Sequence, residues 1–396
     1  MARSPEPTWS ATPGRPGALR YRRAGVKVEC VELRRVSLPL AAPFRTSYGT
    51  QHHRDLLLVA VHGPESQGWG ECVAMNEPLY TAEYVDGAHA VTRSHLAPRL
   101  LSGKDVRADD VAGALSAVKG HPMAKAALEM AVLDAELRAV GQSLATRLGA
   151  VHDRVPSGVS IGLPSTRRVD ELLDAVAGSI EAGYLRVKLK IEPGFDVDAV
   201  RAVRERFGPD LALQVDANAA YTLDDAGHLA RLDPFGLLLI EQPLAEDDLA
   251  GHAELARRIA TPVCLDESIT SATTAADAIR RGACSVVNIK AGRVGGYLEA
   301  RRVHDVCQRL GAAAWCGGML ETGLGRAANL ALAALPGFVL PGDISASDRY
   351  WRRDLTEPFV LRGGYIDLPR GPGLGVAPDP AFLDEVTTEV EYLQPA

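Results

Sequence analysis

Five charged residues recur at nearly constant intervals through the middle of the chain, each at the end of a short apolar run. They are Lys190, Asp216, Glu241, Asp266 and Lys290, and the steps between them are 26, 25, 25 and 24 residues. One strand, one helix and two loops take about that many residues, and repetition of this unit builds a (β/α)₈ barrel. Because the strands of such a barrel end at one mouth, where active sites lie, the sequence predicts that these five charged groups surround a single opening.

The three carboxylates of this set predict a bound divalent cation. Carboxylates that converge in one mouth repel each other, and a buried charge without a partner costs free energy. Asp216, Glu241 and Asp266 supply only oxygen ligands, and no Cys or His ends an equivalent run. Such ligands suit Mg²⁺ or Mn²⁺ better than Zn²⁺. A carboxylate substrate on this cation could lose its α-proton, because the cation would stabilise the charge that develops.

The two lysines of the set are candidates for proton transfer. Lys190 falls on the second strand of the predicted barrel and Lys290 on the sixth, so the two are expected on opposite sides of the mouth. Lys188 lies two residues before Lys190 and shares its face of the strand. A lysine that acts as a base near neutral pH needs a pKa far below its ordinary value of about 10.4. A neighbouring ammonium group, a metal and partial burial all act in that direction.

Together with their neighbours, these residues resemble the muconate-lactonising branch of the enolase superfamily, and within it the o-succinylbenzoate synthase / N-acylamino acid racemase family. The segments that carry the resemblance are Lys188-Leu189-Lys190, Asp216-Ala217-Asn218, Glu241-Gln242-Pro243, Asp266-Glu267-Ser268, Lys290 within NIKAGRVGG, and the seventh-strand run GGMLETG from Gly317 to Gly323. The resemblance implies a modified (β/α)₇β TIM barrel, with an α+β N-terminal capping domain that the C-terminal tail completes. It also implies that the three carboxylates bind Mg²⁺ or Mn²⁺ and that the two lysines transfer protons.

The resemblance implies abstraction of a proton next to a carboxylate, and it leaves open the reaction that follows. In the synthase, Lys190 takes the α-proton of the cyclohexadiene substrate of menaquinone synthesis and then helps hydroxide leave, while Lys290 stabilises the anion. In the racemase, Lys190 and Lys290 exchange the roles of base and acid on opposite faces of an N-acylamino acid. We expect synthase activity together with N-succinylamino acid racemisation. The alternatives are a dedicated racemase, then a muconate cycloisomerase-like enzyme, then a barrel that only binds.

Further residues are expected to contact the substrate. They are Lys188, Asn218, Gly318, Met319, Asp343 and Ile344 in the barrel, and Phe44, Arg45, Ser47 and Tyr48 in an early loop that would act as a lid. Two near relatives are disfavoured. Mandelate-type racemases carry a His on the seventh strand, which ends AAAWCGG here. Dipeptide epimerases carry Asp-x-Asp on the eighth strand, where this chain has Asp343-Ile344-Ser345.

The sequence pattern divides the chain into four parts. Residues 1–25, rich in Pro, Arg, Gly and Ala, are expected to be a disordered extension without the apolar segment of a secretory signal. Residues 26–152 predict the α+β capping domain, with a strand over 26–40, a loop over 41–51 and a buried helix over MAKAALEMAVLDAELRAV. Residues 153–345 predict the barrel, with seven helices and eight strands, the last near 338–340. Residues 346–396 are expected to return to the capping domain.

Composition limits the classes of partner. The 396 residues carry a net charge of −7, which gives no reason to expect nucleic acid or an anionic membrane. No run of about 18 apolar residues predicts a transmembrane helix. The six cysteines lack metal-like spacing and are expected to be free thiols in a reducing cytoplasm. The expected partner is a small-molecule carboxylate, and by analogy with the family the protein is expected to be a homo-oligomer.

Overall fold

A computed structural model of the chain describes residues 25–46 and 49–395. The expected extension over residues 1–25 therefore lies outside the described residues, Gly25 apart. The described chain forms an N-terminal part of strands and helices, a barrel of parallel strands, and a C-terminal segment that contacts both. Within these ranges, every helix is too short or too polar to span a membrane.

The N-terminal part is organised around antiparallel strands. They are β1 (Val26–Lys27), β2 (Cys30–Thr46), β3 (Gly49–His62), β4 (Gln67–Cys72) and β5 (Asp105–Val106). An antiparallel meander is formed by β2, β3 and β4, while β1 pairs with β5. Alternation of apolar residues along β2 buries Val36, Leu38 and Leu40, which gives this part of the sheet a packed face.

The expected loop over residues 41–51 is instead mostly strand, because β2 and β3 continue as a long hairpin. Their pairing shifts register between Pro39 and Phe44, and resumes with Phe44 opposite Gln51 and Arg45 opposite Thr50. A proline has no N–H to donate to the ladder, so an irregularity beside Pro39 is expected. The polar composition of this stretch suggested a loop, whereas pairing with the partner strand determined the structure. Ser47 and Tyr48 lie outside the described residues.

Helices cover one face of the meander. They are α1 (Val85–Val91), α2 (Ala97–Leu100), α3 (Ala108–Ala114), α4 (Pro122–Ala139) and α5 (Leu144–Leu148), with a π-helical turn over Thr92–Leu96. The expected buried helix is α4, in which almost every side chain is buried. It lies directly on β4, because a Cβ atom at Gly70 would come within 1.9 Å of the carbonyl oxygen of Ala127. Only glycine permits that approach.

Parallel strands form the barrel. The strands from residue 154 to residue 316 are β6 (Arg154–Pro156), β7 (Gly158–Ile161), β8 (Arg186–Lys190), β9 (Leu213–Asp216), β10 (Ile240–Glu241), β11 (Val263–Leu265), β12 (Val286–Ile289) and β13 (Ala313–Cys316). In the described residues, β7 to β13 form a parallel sheet in which each strand pairs with the next along the chain. The first barrel strand is therefore β7, and Lys190 ends the second, β8.

The expected eighth strand near residues 338–340 is reduced to isolated bridges. Phe338 pairs with Ala314, and Gly342 pairs with Ser157, both in parallel. The Asp343 N–H donates to the Cys316 carbonyl at 3.0 Å, and the Gly158 N–H donates to the Gly342 carbonyl at 2.8 Å. These contacts join the last strand of the sheet to the first and close the barrel. Prolines and glycines in the segment PGFVLPG interrupt a regular ladder.

Helices surround the sheet. They are α6 (Val169–Glu181), α7 (Val197–Phe207), α8 (Ala226–Leu229), α9 (Leu249–Arg258), α10 (Ala272–Arg280), α11 (Ala291–Val294), α12 (Tyr297–Leu310) and α13 (Gly323–Ala333). Short 3₁₀ turns flank α8, over Leu223–Asp225 and Ala230–Phe235. The turn at Gly295 and Gly296, both with positive φ, separates α11 from α12. One helical turn therefore follows Lys290 before the main helix begins.

The C-terminal segment returns to the N-terminal part, as expected. Its elements are β14 (Tyr365–Asp367), α14 (Pro380–Val386) and β15 (Thr387–Leu393). β14 pairs with β6 beside the barrel, and β15 pairs antiparallel with β2. In the described chain the meander thereby becomes a four-stranded sheet with β15 at its edge. We use the term capping part for residues 25–152 together with this added strand.

Candidate active site

The strand register places three of the five spaced charges in one row at the barrel mouth. Lys190 is the register partner of Asp216, and Asp216 is the register partner of Glu241. Asp266 and Lys290 directly follow the next two strands, β11 and β12. All five side chains are buried or nearly so. The spacing thus brings the five groups together at the carboxyl ends of neighbouring strands.

Lys188 lies beneath this row and joins several carboxylates. Its ammonium is 2.8 Å from Glu241 Oε2, 3.2 Å from Asp216 Oδ2 and 2.5 Å from Asp343 Oδ2. It also lies 4.9 Å from the centre of the Trp315 ring. Burial lowers the pKa of Lys188, but these carboxylates together raise it well above its usual range. Lys188 therefore remains a charged structural group rather than a base.

Lys190 forms one flank of the mouth, and its contacts come from the neighbouring strand of the barrel. Its ammonium donates to Asp216 Oδ2 at 2.6 Å and to Asn218 Oδ1 at 2.7 Å. Asn218 in turn donates from Nδ2 to Glu267 Oε1 at 3.0 Å. Among the described residues, the hydrogen bonds that hold this flank come from Asp216, Asn218 and Glu267, which belong to the barrel.

Lys290 forms the opposite flank, and its contacts come from both the barrel and the capping part. Its ammonium donates to Asp266 Oδ2 at 2.7 Å and to the Tyr80 hydroxyl at 2.8 Å. The Tyr80 hydroxyl donates to Asp266 Oδ2 at 3.0 Å and accepts from the Arg293 guanidinium. Burial lowers the pKa of Lys290, but Asp266 and other nearby carboxylates leave it above its ordinary value. The lowered pKa expected of a lysine base is thus not found at Lys290 while its ammonium is paired with Asp266, a carboxylate that a bound cation would engage instead.

The three carboxylates differ in their electrostatic balance. Burial, followed by the charge of Asp216, raises the pKa of Glu241 to about 8. Burial also acts on Asp216 and Asp266, but lysines and, for Asp266, Arg293 hold the pKa of each below its ordinary value. Of the three carboxyl groups, Glu241 is thus the one that its buried position keeps protonated most readily, and a bound cation would favour its ionised form.

This arrangement fits a hard divalent cation. The donor set of Asp216, Glu241 and Asp266 is all oxygen, which such an ion prefers. Asp266 Oδ1 accepts no hydrogen bond in the described residues, so this buried oxygen atom could accept a bond from a cation. Within those residues the carboxylates do not converge as a ready-made ligand set, because each faces a lysine. The residues are therefore suitable ligands whose oxygen atoms are at present paired with ammonium groups.

The residues that follow the carboxylates tie adjacent loops together. Gln242 donates to Ser268 Oγ at 2.8 Å and accepts from the Asp266 N–H at 3.0 Å. Gln242 and Asn218 have φ values of 38° and 43°, a left-handed conformation that is strained for these residues. Strain of this kind persists only where the surrounding contacts determine it, as they do here. The motif residues therefore fix the positions of the carboxylates.

A cavity of about 440 Å³ opens between the barrel mouth and the capping part. Of the residues predicted for the site, those that line it are Lys188, Lys190, Lys290, Asn218, Gly318, Met319, Asp343 and Phe44. The structure does not bring Arg45 or Ile344 to the cavity: Arg45 donates to the Ser165 carbonyl, and Ile344 is buried, with its carbonyl accepting from Ser157. Ser47 and Tyr48 lie outside the described residues.

Two polar residues that sequence reasoning missed complete the Lys290 flank. Arg293 is buried and lies 3.6 Å from Asp266 Oδ1. Its position three residues after Lys290, within NIKAGRVGG, was a signal that could have identified it. Tyr80 stands in the stretch NEPLYTAEY, which has neither regular spacing nor a motif. Its contact with Lys290 spans 210 residues of sequence, so only the fold identifies it.

Comparison with known protein families and structures places the chain among enzymes. Residues 29–149 match the model "Mandelate racemase / muconate lactonizing enzyme, N-terminal domain", and residues 171–382 match "Enolase C-terminal domain-like". An N-succinylamino acid racemase of Amycolatopsis sp is 66% identical over 363 residues, which are 92% of this chain and 98% of that protein. An o-succinylbenzoate synthase of Geobacillus stearothermophilus is 45% identical, covering 91% and 96% of the two chains.

A solved structure shows the same fold. A member of the enolase superfamily from Listeria innocua Clip11262 superimposes with a TM-score of 0.89 at 39% identity, and the match covers 93% of this chain and 99% of that chain. The expected class of fold, a barrel with an N-terminal capping part, is thereby confirmed.

Proposed function

Because this chain belongs to the mandelate racemase / muconate lactonizing enzyme family of the enolase superfamily, we propose that it removes the α-proton of a small carboxylate substrate. We propose further that it catalyses both o-succinylbenzoate synthesis and the racemisation of N-succinylamino acids. The observation that carries this proposal is that Lys190 and Lys290, on the second and sixth barrel strands, line one cavity above three carboxylates. A substrate α-carbon between them would have a proton carrier on each face.

Asp216, Glu241 and Asp266 would hold the cation, with Mg²⁺ or Mn²⁺ as the ion of choice. When bound, this ion would supply a Lewis acid for the negative charge that develops on the substrate carboxylate. Lys188 contributes a permanent positive charge next to Glu241 and Asp343. Gln242 and Asn218 keep the carboxylates and Lys190 in place through the contacts described above.

The Nζ atoms of Lys190 and Lys290 accept and donate the protons. In racemisation, one lysine takes the α-proton from its face of the carbon and the other delivers a proton to the opposite face. In the synthase reaction, Lys190 takes the α-proton of the cyclohexadiene carboxylate and returns it to the departing hydroxyl group, so that water leaves and the ring becomes aromatic. Lys290 remains an ammonium group there and stabilises the anion by its charge.

The outer part of the cavity would receive the distal portion of the substrate. Its apolar lining is formed by Phe44, Met75, Leu79, Met319, Leu320 and Tyr350. Gly318 leaves no room for a side chain, because a Cβ atom there would lie 2.4 Å from the Asp343 carbonyl oxygen. A pocket with an apolar wall and a charged floor suits a carboxylate that carries a bulky acyl or ring substituent.

The remaining expectations extend this proposal. We propose boundaries of 26–152 for the capping domain and 153–345 for the barrel, with 346–396 as the returning tail; the family model that matches 29–149 supports the first, and the model that matches 171–382 extends beyond the proposed end of the barrel. We also propose a cytoplasmic homo-oligomer that takes part in menaquinone synthesis. All six cysteines are free thiols, which supports a reducing compartment.

The proposal is tested by proton exchange and by turnover. Purified protein is incubated with each enantiomer of N-succinylphenylglycine in D₂O, with Mg²⁺ and with EDTA, and the α-proton signal and optical rotation are followed. We expect Mg²⁺-dependent exchange and racemisation. Folded protein that neither exchanges the α-proton nor dehydrates the cyclohexadiene substrate would contradict both activities, and would leave a binding barrel.

The high identity with an N-succinylamino acid racemase favours a second form of the proposal, a dedicated racemase. Steady-state kinetics with both substrates, measured on one preparation, separate the two forms. Values of kcat/KM within about a hundredfold of each other support the dual activity, and dehydration at the rate of a buffer control supports the dedicated racemase. Cycloisomerisation of muconate, faster than either reaction, would instead indicate the muconate-lactonising activity.

A further inference from the structure

A buried glutamate of the capping part holds the barrel segment that follows Lys290. Glu129 lies on α4, is 2% exposed, and its Oε1 accepts the N–H of Leu298 at 3.0 Å. The N–H of Tyr297 donates to the same carboxylate. These two N–H groups belong to the first turn of α12, where a carboxylate is favoured by the helix dipole.

The barrel side of this contact is built to receive the carboxylate. A Cβ atom at Gly296 would lie 2.2 Å from Glu129 Oε1, and Gly296 has a φ of +146°. A side chain at position 296 would therefore displace the carboxylate. Only glycine allows Glu129 to reach the end of α12 at this distance.

The capping part makes a second contact with the segment between Lys290 and α12, at a position closer to Lys290. Between Lys290 and α12 the chain makes the single turn α11. A Cβ atom at Gly292, in that turn, would lie 2.4 Å from Val73 Cγ2 and 3.8 Å from Met123 Cγ. The whole connection from Lys290 to α12 is thus enclosed by side chains of the capping part. The corresponding connection after Lys190 has no such contact among its described hydrogen bonds.

Burial of the Glu129 carboxylate costs free energy, so its presence at this position needs an explanation. Burial raises its pKa to about 7, against the effect of its backbone donors. An apolar side chain of similar size is often tolerated as well as a buried charge when stability alone matters. Here the partners of the carboxylate are backbone groups of another structural unit, which a methyl group could not orient. The charge therefore serves to fix the position of the α12 terminus.

We propose that Glu129 is a positioning residue for Lys290, acting through the turn α11 and the start of α12. The inference rests on the proposed function, in which Lys190 and Lys290 serve opposite faces of the substrate α-carbon. Displacement of a reacting group by about 1 Å can slow its reaction by about a hundredfold. Loosening this anchor should therefore slow proton transfer by Lys290 and leave proton transfer by Lys190 nearly unchanged.

The different effects on the two lysines can be measured as exchange of the α-proton for deuterium that occurs without inversion of the α-carbon. The enantiomer that presents its proton to Lys290 must lose it to that residue, so its exchange slows. The other enantiomer loses its proton to Lys190, which can return a deuteron to the same face. For that enantiomer, exchange persists while racemisation falls, and the ratio of exchange to inversion rises. A general loss of folded protein lowers all of these rates equally and leaves the ratio unchanged.

The test compares Glu129→Gln with Asp134→Asn, a matched control on the same helix. Asp134 is also buried and accepts backbone N–H groups, from Trp69 at 2.9 Å and Leu374 at 2.7 Å, but these donors lie away from the barrel mouth. Exchange and inversion of each enantiomer of N-succinylphenylglycine are measured in D₂O with Mg²⁺, and thermal melting reports the folded state. The enantiomer that still exchanges in Lys190→Ala is the one served by Lys290.

We expect Glu129→Gln to slow exchange of the enantiomer served by Lys290 about tenfold. Exchange of the enantiomer served by Lys190 should change by less than about threefold, and the ratio of exchange to inversion for this second enantiomer should rise. Asp134→Asn should leave the ratio unchanged. Equal slowing of both enantiomers, or no change, would overturn the positioning role while leaving the proposed function intact. A wild-type protein that exchanges neither enantiomer overturns both. If Glu129→Gln does not fold, Val73→Ala loosens the same turn from its other side and must produce the same asymmetry.

Discussion

The two flanks of the cavity are built in different ways. The Lys190 ammonium donates to Asp216 and Asn218, at the end of the adjacent barrel strand, so its hydrogen bonds among the described residues come from the barrel. The Lys290 ammonium contacts Asp266 from the barrel and Tyr80 from the capping part. Lys190 is thus held by hydrogen bonds from the barrel, whereas Lys290 is held by hydrogen bonds from both the barrel and the capping part. The comparison suggests that the capping part takes part in the chemistry of one face of the substrate, as well as covering it.

The largest expected effect is common to both flanks, because both depend on the carboxylates between them. Asp216→Asn and Asp266→Asn should each lower turnover by about a thousandfold or more, which corresponds to roughly 4 kcal/mol of barrier. Both should weaken Mn²⁺ binding, measured by electron paramagnetic resonance. Asp196→Asn is a suitable control, because Asp196 is a buried barrel carboxylate whose side chain bonds Tyr221 and His228, whereas Asp216 and Asp266 accept from Lys190 and Lys290. Near wild-type turnover in Asp216→Asn or Asp266→Asn would remove the carboxylates from the mechanism.

The next effect should separate the flanks. Tyr80→Phe removes the hydroxyl group between Lys290 and Asp266, and Asn218→Ala removes the amide that orients Lys190. The loss of one such hydrogen bond is worth about 1 kcal/mol, so each variant should slow exchange about three- to tenfold. The two variants should slow opposite enantiomers of N-succinylphenylglycine. Slowing of the same enantiomer by both would contradict the division of the site into two independent flanks.

The difference between the flanks also explains what could be predicted from the sequence. The row of Lys190, Asp216 and Glu241 was predictable, because strand register carries residues at equal spacing to the same level of a barrel. The barrel followed from the same periodicity, whereas the returning tail was expected from the family resemblance. Tyr80 could not be predicted, because its contact depends on how two separately folded sheets dock. Arg45 and Ile344 show the reverse error, since sequence position near the cavity did not determine where their side chains lie.

A smaller effect concerns the dependence of stability on pH. Glu71 is buried in the capping part and accepts N–H groups from Thr322 and Gly325 of the barrel, both at 3.0 Å. Burial raises its pKa from 4.5 to about 7, and the nearby Glu321 carboxylate adds to the shift. A carboxyl group whose pKa is raised on folding stabilises the fold most below its unfolded pKa. That contribution, up to about 3 kcal/mol, is lost as the pH rises through about 7.

The melting temperature of the wild type should therefore fall by a few degrees more than that of Glu71→Gln between about pH 5 and pH 8. Scans of both proteins at matched ionic strength measure this difference. Parallel pH curves for the two proteins would show that Glu71 is ionised equally in the folded and unfolded states. A steeper fall for the variant would reverse the sign of the proposed pKa shift.

The smallest effect should come from the hairpin at the edge of the cavity. Phe44 lines the cavity and packs edge-on against Tyr350, with ring centres 6.0 Å apart. Arg45 faces the barrel at Ser165 instead. Phe44→Ala should raise KM several-fold with little change in kcat, whereas Arg45→Ala should change kcat/KM by less than about twofold, as is usual for an exposed contact. A larger effect for Arg45→Ala than for Phe44→Ala would mean that Arg45 reaches the substrate.

The most direct measurement is α-proton exchange by Lys190→Ala and Lys290→Ala, each with both enantiomers of N-succinylphenylglycine in D₂O and Mg²⁺. Proton transfer on two faces predicts that neither variant racemises, that each still exchanges one enantiomer, and that the two variants retain opposite enantiomers. If both variants retain the same enantiomer, or if either still racemises at the wild-type rate, the two lysines do not serve opposite faces of one α-carbon.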